Sequence, residues 1–348
     1  MSAMDQLDEA YERLHRTGPE FEGYLSNHGP MVVEALVRRG HGEAVARWLD
    51  GYVPKLDGAP QATARPARWP DDLGDPAALG EWIVTFTAAL AESPWREVLA
   101  EWWPRLLPGV AAGATHGAIR VGHAVDALLA WGESADRVAE LAQALAYWAA
   151  RWQPVPRTAR PGGTLATADA LAGVPRIPHA EGGIVSRLAQ LDDLDGWPAA
   201  QHALAPNDDA ENALRAVVSA AVVRYATHAH GSPVMLVHAA TAPNALRRAL
   251  LALPEELHGA TAAAGWSAAA AIYAAYGPES AREPTSTTTA PPAVDEIMDR
   301  AAHHGDEHVI KLTDTALDVL AWTGDERAGR AASTAATAIP PAPRPPRF

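Results

Sequence analysis

Apolar positions along the chain recur mostly every third or fourth residue, the period at which side chains return to one face of an α-helix. The pattern predicts helices over 31–39 and 43–49, split by Gly40, and over 76–91 and 94–106, each opened near a proline that the first helical turn tolerates. It predicts an antiparallel pair over 111–131 and 134–152, with Gly132 as the stop signal, and continues over 209–225, 235–253, 259–276, 294–302 and 306–322. Alternating Val/Ile/Tyr-rich runs bounded by hairpin turns are missing, so strands are not expected. The expected fold is mostly α, a single large multi-helix domain over 1–330 with long irregular loops. Two of those loops are 53–75, rich in Pro, Ala and Arg, and 154–178, with Gly162-Gly163 and several prolines; connections of that length often serve as lids or pocket walls. Residues 280–292 carry a low-complexity Thr run, and the Pro- and Ala-rich segment 331–348 is expected to be a disordered tail.

Composition narrows the classes of function. The 348 residues hold 28 Lys plus Arg against 42 Asp plus Glu, a net charge of −14. That balance argues against nucleic acid or an anionic membrane surface as partner, because both need concentrated basic surface. No apolar run reaches the roughly 18 residues of a membrane span, and the first sixteen residues are charged throughout, unlike a signal peptide. The expectation is a cytoplasmic protein acting on a small molecule. Cysteine is absent, which excludes disulfides, a thiolate nucleophile, an iron–sulfur cluster and a Cys-based zinc site. Histidine, by contrast, numbers 14, and only two of the 28 basic residues are lysine, Lys55 and Lys311. In so Arg-rich a chain, a lysine kept inside an apolar segment suggests chemistry that Arg cannot perform.

Four short segments set histidines against apolar surroundings. Asn27 and His28 stand where a helix cap would, ahead of Pro30. His116, Arg120 and His123 share one face of a predicted helix, and buried polar groups there need partners. His238 interrupts the apolar run 235–240. His308 and Lys311, three apart, point the same way among Val309, Ile310 and Leu312. His228 and His230, beside Gly231, read as surface loop residues. For each segment the plainer reading is structural: a cap, buried hydrogen-bonded rings, a core histidine, a lysine in a salt bridge. The chemical reading is a metal site, because imidazole is the usual ligand for iron, copper or zinc where sulfur is absent, and helical proteins build such sites from lone residues on separate helices. No HExxH, Walker, GxSxG or GxGxxG pattern is present, so no zincin, phosphate-loop, hydrolase-elbow or dinucleotide-binding unit is encoded.

Taken together and in order, NHGPM at 27–31, THGAIRVGHAV at 115–125, LVHAATAP at 236–243 and DEHVIKL at 306–312 resemble the questin oxidase family. The resemblance covers roughly 11–322. It implies an iron-dependent oxygenase that cleaves a C–C bond in the ring of an anthraquinone- or anthrone-type aromatic polyketide in secondary metabolism. It implies Fe(II) held by His28, His116, His238, His308 and a carboxylated Lys311, with carbon dioxide consumed in that carbamate and dioxygen as co-substrate. Lys311, Arg120 and His123 are then the candidate catalytic residues, the last two lying about one and two turns from His116, where they would orient the ligating ring. Where the fungal pattern has His and Tyr, this chain has Arg120 and His123. Two other functions are compatible with the residues: an NADPH-dependent Baeyer–Villiger-type oxygenase, and a non-catalytic helical protein that binds a small aromatic. The oligomeric state is not encoded.

Overall fold

A computed structural model describes residues 2–61, 63–282 and 294–342. Most of the low-complexity run 280–292 and the last six residues of the expected tail lie outside the described residues. The fold is mostly α, with sixteen α-helices and a single two-stranded hairpin among the described residues. No described helix is long and apolar enough to cross a membrane. The chain forms two compact units, the first built mainly from 1–154 with 248–254 and the second from 155–247 with 255–341.

The first unit opens with α1 (Ala3–His15), which the hydrophobic pattern left unread because charges crowd its exposed face. Ser2 and Asp5 form a reciprocal capping box at its start. A small antiparallel hairpin, β1 (Glu20–Phe21) and β2 (Leu25–Ser26), leads into α2 (Gly29–Arg38) and α3 (Gly42–Tyr52). Then follow α4 (Leu79–Glu92), α5 (Trp95–Leu106), α6 (His116–Trp131) and α7 (Ala135–Ala150). α7 packs on α4 and α6, and α2 on α1, α3 and α6. Gly117 makes the α6–α7 approach possible, because a Cβ there would meet the Trp148 Cα at 2.9 Å. Trp103 and Trp148, both buried, meet edge to face at 5.4 Å in this core.

The second unit contains three short helices, α8 (Thr167–Ala172), α9 (Ile184–Ala189) and α10 (Trp197–Ala203), none of them predicted. Six or seven residues are too few for a helical period to declare itself. The longer helices are α11 (Ala210–His228), α12 (Pro233–Ala249, whose last two residues count with the first unit), α13 (His258–Tyr276), α14 (Val294–His304), α15 (Glu307–Thr323) and α16 (Arg327–Ala338). α11 packs against α8, α13, α15 and α16.

Three expectations need correction. Helix α6 begins at His116 and not at 111, because Gly113, Ala114 and Thr115 all have positive φ (53°, 58° and 72°) and break the helical path. The disordered tail does not begin at 331, because 331–338 is the second half of α16. Ala328, Ala331, Ala332 and Ala335 are buried there, at the 3–4 spacing that faces one stripe of a helix onto a core. His228 is not a surface loop residue, but the last residue of α11, buried at 6% exposure.

Candidate metal centre

His28 and His116 are brought together in the first unit. Asn27 supplies the cap that the sequence suggested, its carboxamide oxygen accepting the Gly29 N–H at 2.8 Å while its nitrogen donates to the Gly18 carbonyl at 3.0 Å. His28 occupies the cap position itself without a side-chain capping bond, and its backbone N–H donates to the Tyr52 hydroxyl at 2.6 Å. His116 is the first residue of α6. The left-handed turn before it carries the Gly113 carbonyl to 2.5 Å from His116 Nδ1, which donates to it. With its proton on Nδ1, the ring presents a bare Nε2. That Nε2 lies 2.8 Å from Nε2 of His28, with the two buried rings edge-on at 75°. Non-glycine residues at positive φ are costly by about 1–3 kcal/mol each and cluster where geometry is over-determined. Ala114 and Thr115 are two such residues in a row, directly before this ring.

His238 and His308 are brought together in the second unit. His238, in the second turn of α12, donates from Nδ1 to the Met235 carbonyl at 3.1 Å and so also presents Nε2. His308 stands in the first turn of α15, its ring 5.6 Å from that of His238 and tilted 72°. Each offers a ring nitrogen within 4.8 Å of the other's. Asp306 caps α15, accepting the backbone N–H groups of His308 and Val309 at 2.9 and 3.1 Å, and its carboxylate lies 3.6 Å from His308 Nδ1. Burial pushes the Asp306 carboxyl up, but His308 and the helix N–H groups together hold it below the usual carboxylate range. A carboxylate behind an imidazole fixes ring orientation and raises ligand basicity.

Lys311 sits one turn beyond His308, 1% exposed, among Val309, Ile310 and Leu312, which are all fully buried. Burial disfavours its ammonium form and pushes its pKa down to about 7, against the opposing pull of Glu307 and Asp306. An appreciable fraction of this amine is therefore neutral at physiological pH. A neutral amine is a nucleophile toward carbon dioxide, which an arginine in the same place could not be.

Arg120 and His123 are buried on the same face of α6 as His116, and each engages a carboxylate that the sequence reading missed. Arg120 forms a bidentate pair with Glu140 of α7 at 2.6 and 2.8 Å, and His15 joins the same carboxylate at 3.0 Å. Burial raises Glu140, but Arg120 and His15 outweigh it and hold the group below its ordinary range. His123 meets Glu34 of α2 at 2.5 Å, with Arg248 Nη1 at 3.4 Å. Glu34 is fully buried, and it carried a legible signal as the one charge inside the apolar run 31–37. Glu140 carried none, lying in an Ala- and Leu-rich stretch with ordinary helical spacing. These two networks lock α6 against α2 and α7, and so fix the start of the helix on which His116 stands.

The donors suit a borderline divalent metal. They are buried imidazoles, two of which (His116 and His238) present Nε2, with no thiolate in the chain, and a lysine able to become an anionic oxygen donor. At His28 and His116 the two facing nitrogens share at most one proton, a place that a cation can take. No curated protein matches the chain. The model of the Questin oxidase-like family matches residues 5–315, a span that includes all four histidine segments and Lys311. A family whose name denotes an oxidase, matching nine-tenths of the sequence in a helical fold with buried paired histidines, leaves one assignment: the chain belongs to the Questin oxidase-like family.

Proposed function

We propose that this protein is an iron-dependent oxygenase that cleaves a ring C–C bond of an anthraquinone- or anthrone-type aromatic polyketide. In this reading His28, His116, His238 and His308 ligate Fe(II), and Lys311 completes the site as a carbamate. Family membership supports the oxidase chemistry and the substrate class. The observation that carries the metal reading is the His28–His116 pair, two buried imidazole nitrogens 2.8 Å apart with one proton at most between them. Iron(II), when bound, supplies the means to activate dioxygen beside an electron-rich aromatic ring. The protein's own contributions are separate from that. The Gly113 and Met235 carbonyls hold the His116 and His238 rings in the ligating tautomer, Asp306 backs His308, and burial keeps Lys311 reactive toward carbon dioxide. Arg120 and His123 act through α6, as positioning residues.

The reading is tested by metal analysis and oxygen uptake on untagged protein with a hydroxylated anthrone as substrate. Near-stoichiometric iron and substrate-dependent oxygen consumption without added nicotinamide are expected, and His238→Ala should lower both together. Turnover that needs NADPH and no iron would favour a Baeyer–Villiger-type oxygenase. Absence of both iron and turnover would leave a helical aromatic-binding protein.

A further inference from the structure

The second unit holds a cavity of about 550 Å³ between α8, α11 and the start of α16, and none of the four paired histidines nor Lys311 lines it. Its apolar lining comes from small side chains of α8 and α11, Ala168, Ala216, Ala220, Val223 and Ala226, with Thr167, Ser219 and Thr227 between them. The volume is within the roughly 300–1,000 Å³ typical of small-molecule sites. Charge enters at the α11 side, from Arg224. This guanidinium lies over the Tyr273 ring at 5.5 Å, and its buried Nε has no hydrogen-bond partner among the described residues. A buried cationic donor left unpaired is costly. The neighbouring groups do not relieve it. Burial, with Arg224 and Arg176 beside it, pushes His228 down to about 4, so that ring is neutral at pH 7. The one carboxylate on the cavity wall, Asp325, is engaged by Arg327 through both oxygens, at 2.6–3.0 Å. Arg330 adds a third guanidinium at the wall, exposed like that of Arg327.

We propose that this cavity is a binding site for a small monocarboxylate with a flat or compact apolar body, its carboxylate received by Arg224 and its body by the alanine-lined walls. A monoanion fits better than phosphate. Arg327 is engaged by Asp325 and Arg330 is exposed, which leaves the half-buried Arg224 as the inner cation, and the small apolar side chains offer contact that phosphate cannot use. The site is separate from the paired histidines, so the proposal stands whether or not the protein binds iron.

Calorimetric titration of the full-length protein with 2-naphthoate is the test, alongside 2-naphthamide as a neutral isostere and inorganic phosphate as an anion without a body. Two variants locate the site: Arg224→Met removes the charge, and Ala220→Leu fills the cavity while keeping a helix-forming residue. Saturable one-to-one binding of naphthoate is expected, with the amide and phosphate each weaker by at least about tenfold, as befits loss of a charge-assisted hydrogen bond or of the apolar burial. Both variants should weaken naphthoate by a similar factor with an unchanged circular dichroism spectrum. The proposal is overturned by no saturable binding, by amide or phosphate binding as tightly as naphthoate, or by undiminished affinity in either folded variant. Should Arg224→Met not fold, the amide comparison and Ala220→Leu still decide it.

Discussion

The tautomer of His116 is set by backbone, through a three-residue left-handed turn that aims the Gly113 carbonyl at Nδ1. Nothing in the string Gly113-Ala114-Thr115 announces that turn, since only glycine advertises positive φ and two of the three residues are not glycine. Lys311 was the opposite case. Its rarity and apolar neighbours were legible, and burial has the consequence those neighbours imply. Arg120 was legible as a buried charge but its partner was not, because Glu140 lies in a different helix. Removing the arginine is the informative change. Arg120→Ala leaves the Glu140 carboxylate buried beside His15 alone and should cost about 3–5 kcal/mol of stability. Replacing both residues, Arg120→Met with Glu140→Leu, should recover most of that loss in urea denaturation. A double variant as unstable as the single one would mean the charge pair does more than satisfy itself. His228 offers a pH test. Its folded pKa of about 4 lies below the ordinary 6.5, so below pH 6.5 the unfolded chain takes up a proton that the folded ring refuses. Stability from this group is complete above pH 6.5 and falls as pH drops toward 4. The melting temperature of His228→Gln should therefore decline less than that of the parent between pH 7 and pH 5; parallel declines would show that the folded ring takes up its proton as readily as the unfolded chain.

Elements were legible in proportion to their length and their contrast. The helices of ten residues or more between 29 and 323 were found to within a few residues, because burying one face imposes a period that survives in sequence. The exceptions each have a physical cause. α1 is amphipathic but highly charged, α8 to α10 are too short to show a period, and α16 buries only alanines and Gly329, which give little apolar contrast. α16 also carries a consequence for chain trimming. It packs on α11, α14 and α15, and beyond 330 it buries Ala331, Ala332 and Ala335. Ending the chain at 330 should lower the melting temperature of the second unit by several degrees, since a loss of 1 kcal/mol already moves it by about 2–4 °C in a unit of roughly 150–250 residues. Ending it at 342 tests the remainder separately. An unchanged melting temperature after truncation at 330 would show that the second half of α16 adds nothing to the unit.

For the molecule as a whole, charge and composition excluded classes of function but named none. What named a class was the order of four histidine segments spread over nearly 300 residues, each unremarkable alone. Spacing along the chain says nothing about which side chains meet, so the pairings of His28 with His116 and of His238 with His308 had to come from structure. The cavity beside Arg224 was invisible for the same reason, since its walls come from three helices separated in sequence. The central claim is that four histidines and a carboxylated lysine hold one iron. Its most direct test is a crystal structure of untagged protein loaded with Fe(II) in bicarbonate, with anomalous data at the iron edge. The expected result is one iron peak coordinated by His28, His116, His238 and His308, with density extending from Lys311 Nζ as a carbamate whose oxygen reaches the metal. An unmodified Lys311 ammonium paired with a carboxylate, or iron bound away from these histidines, would contradict it.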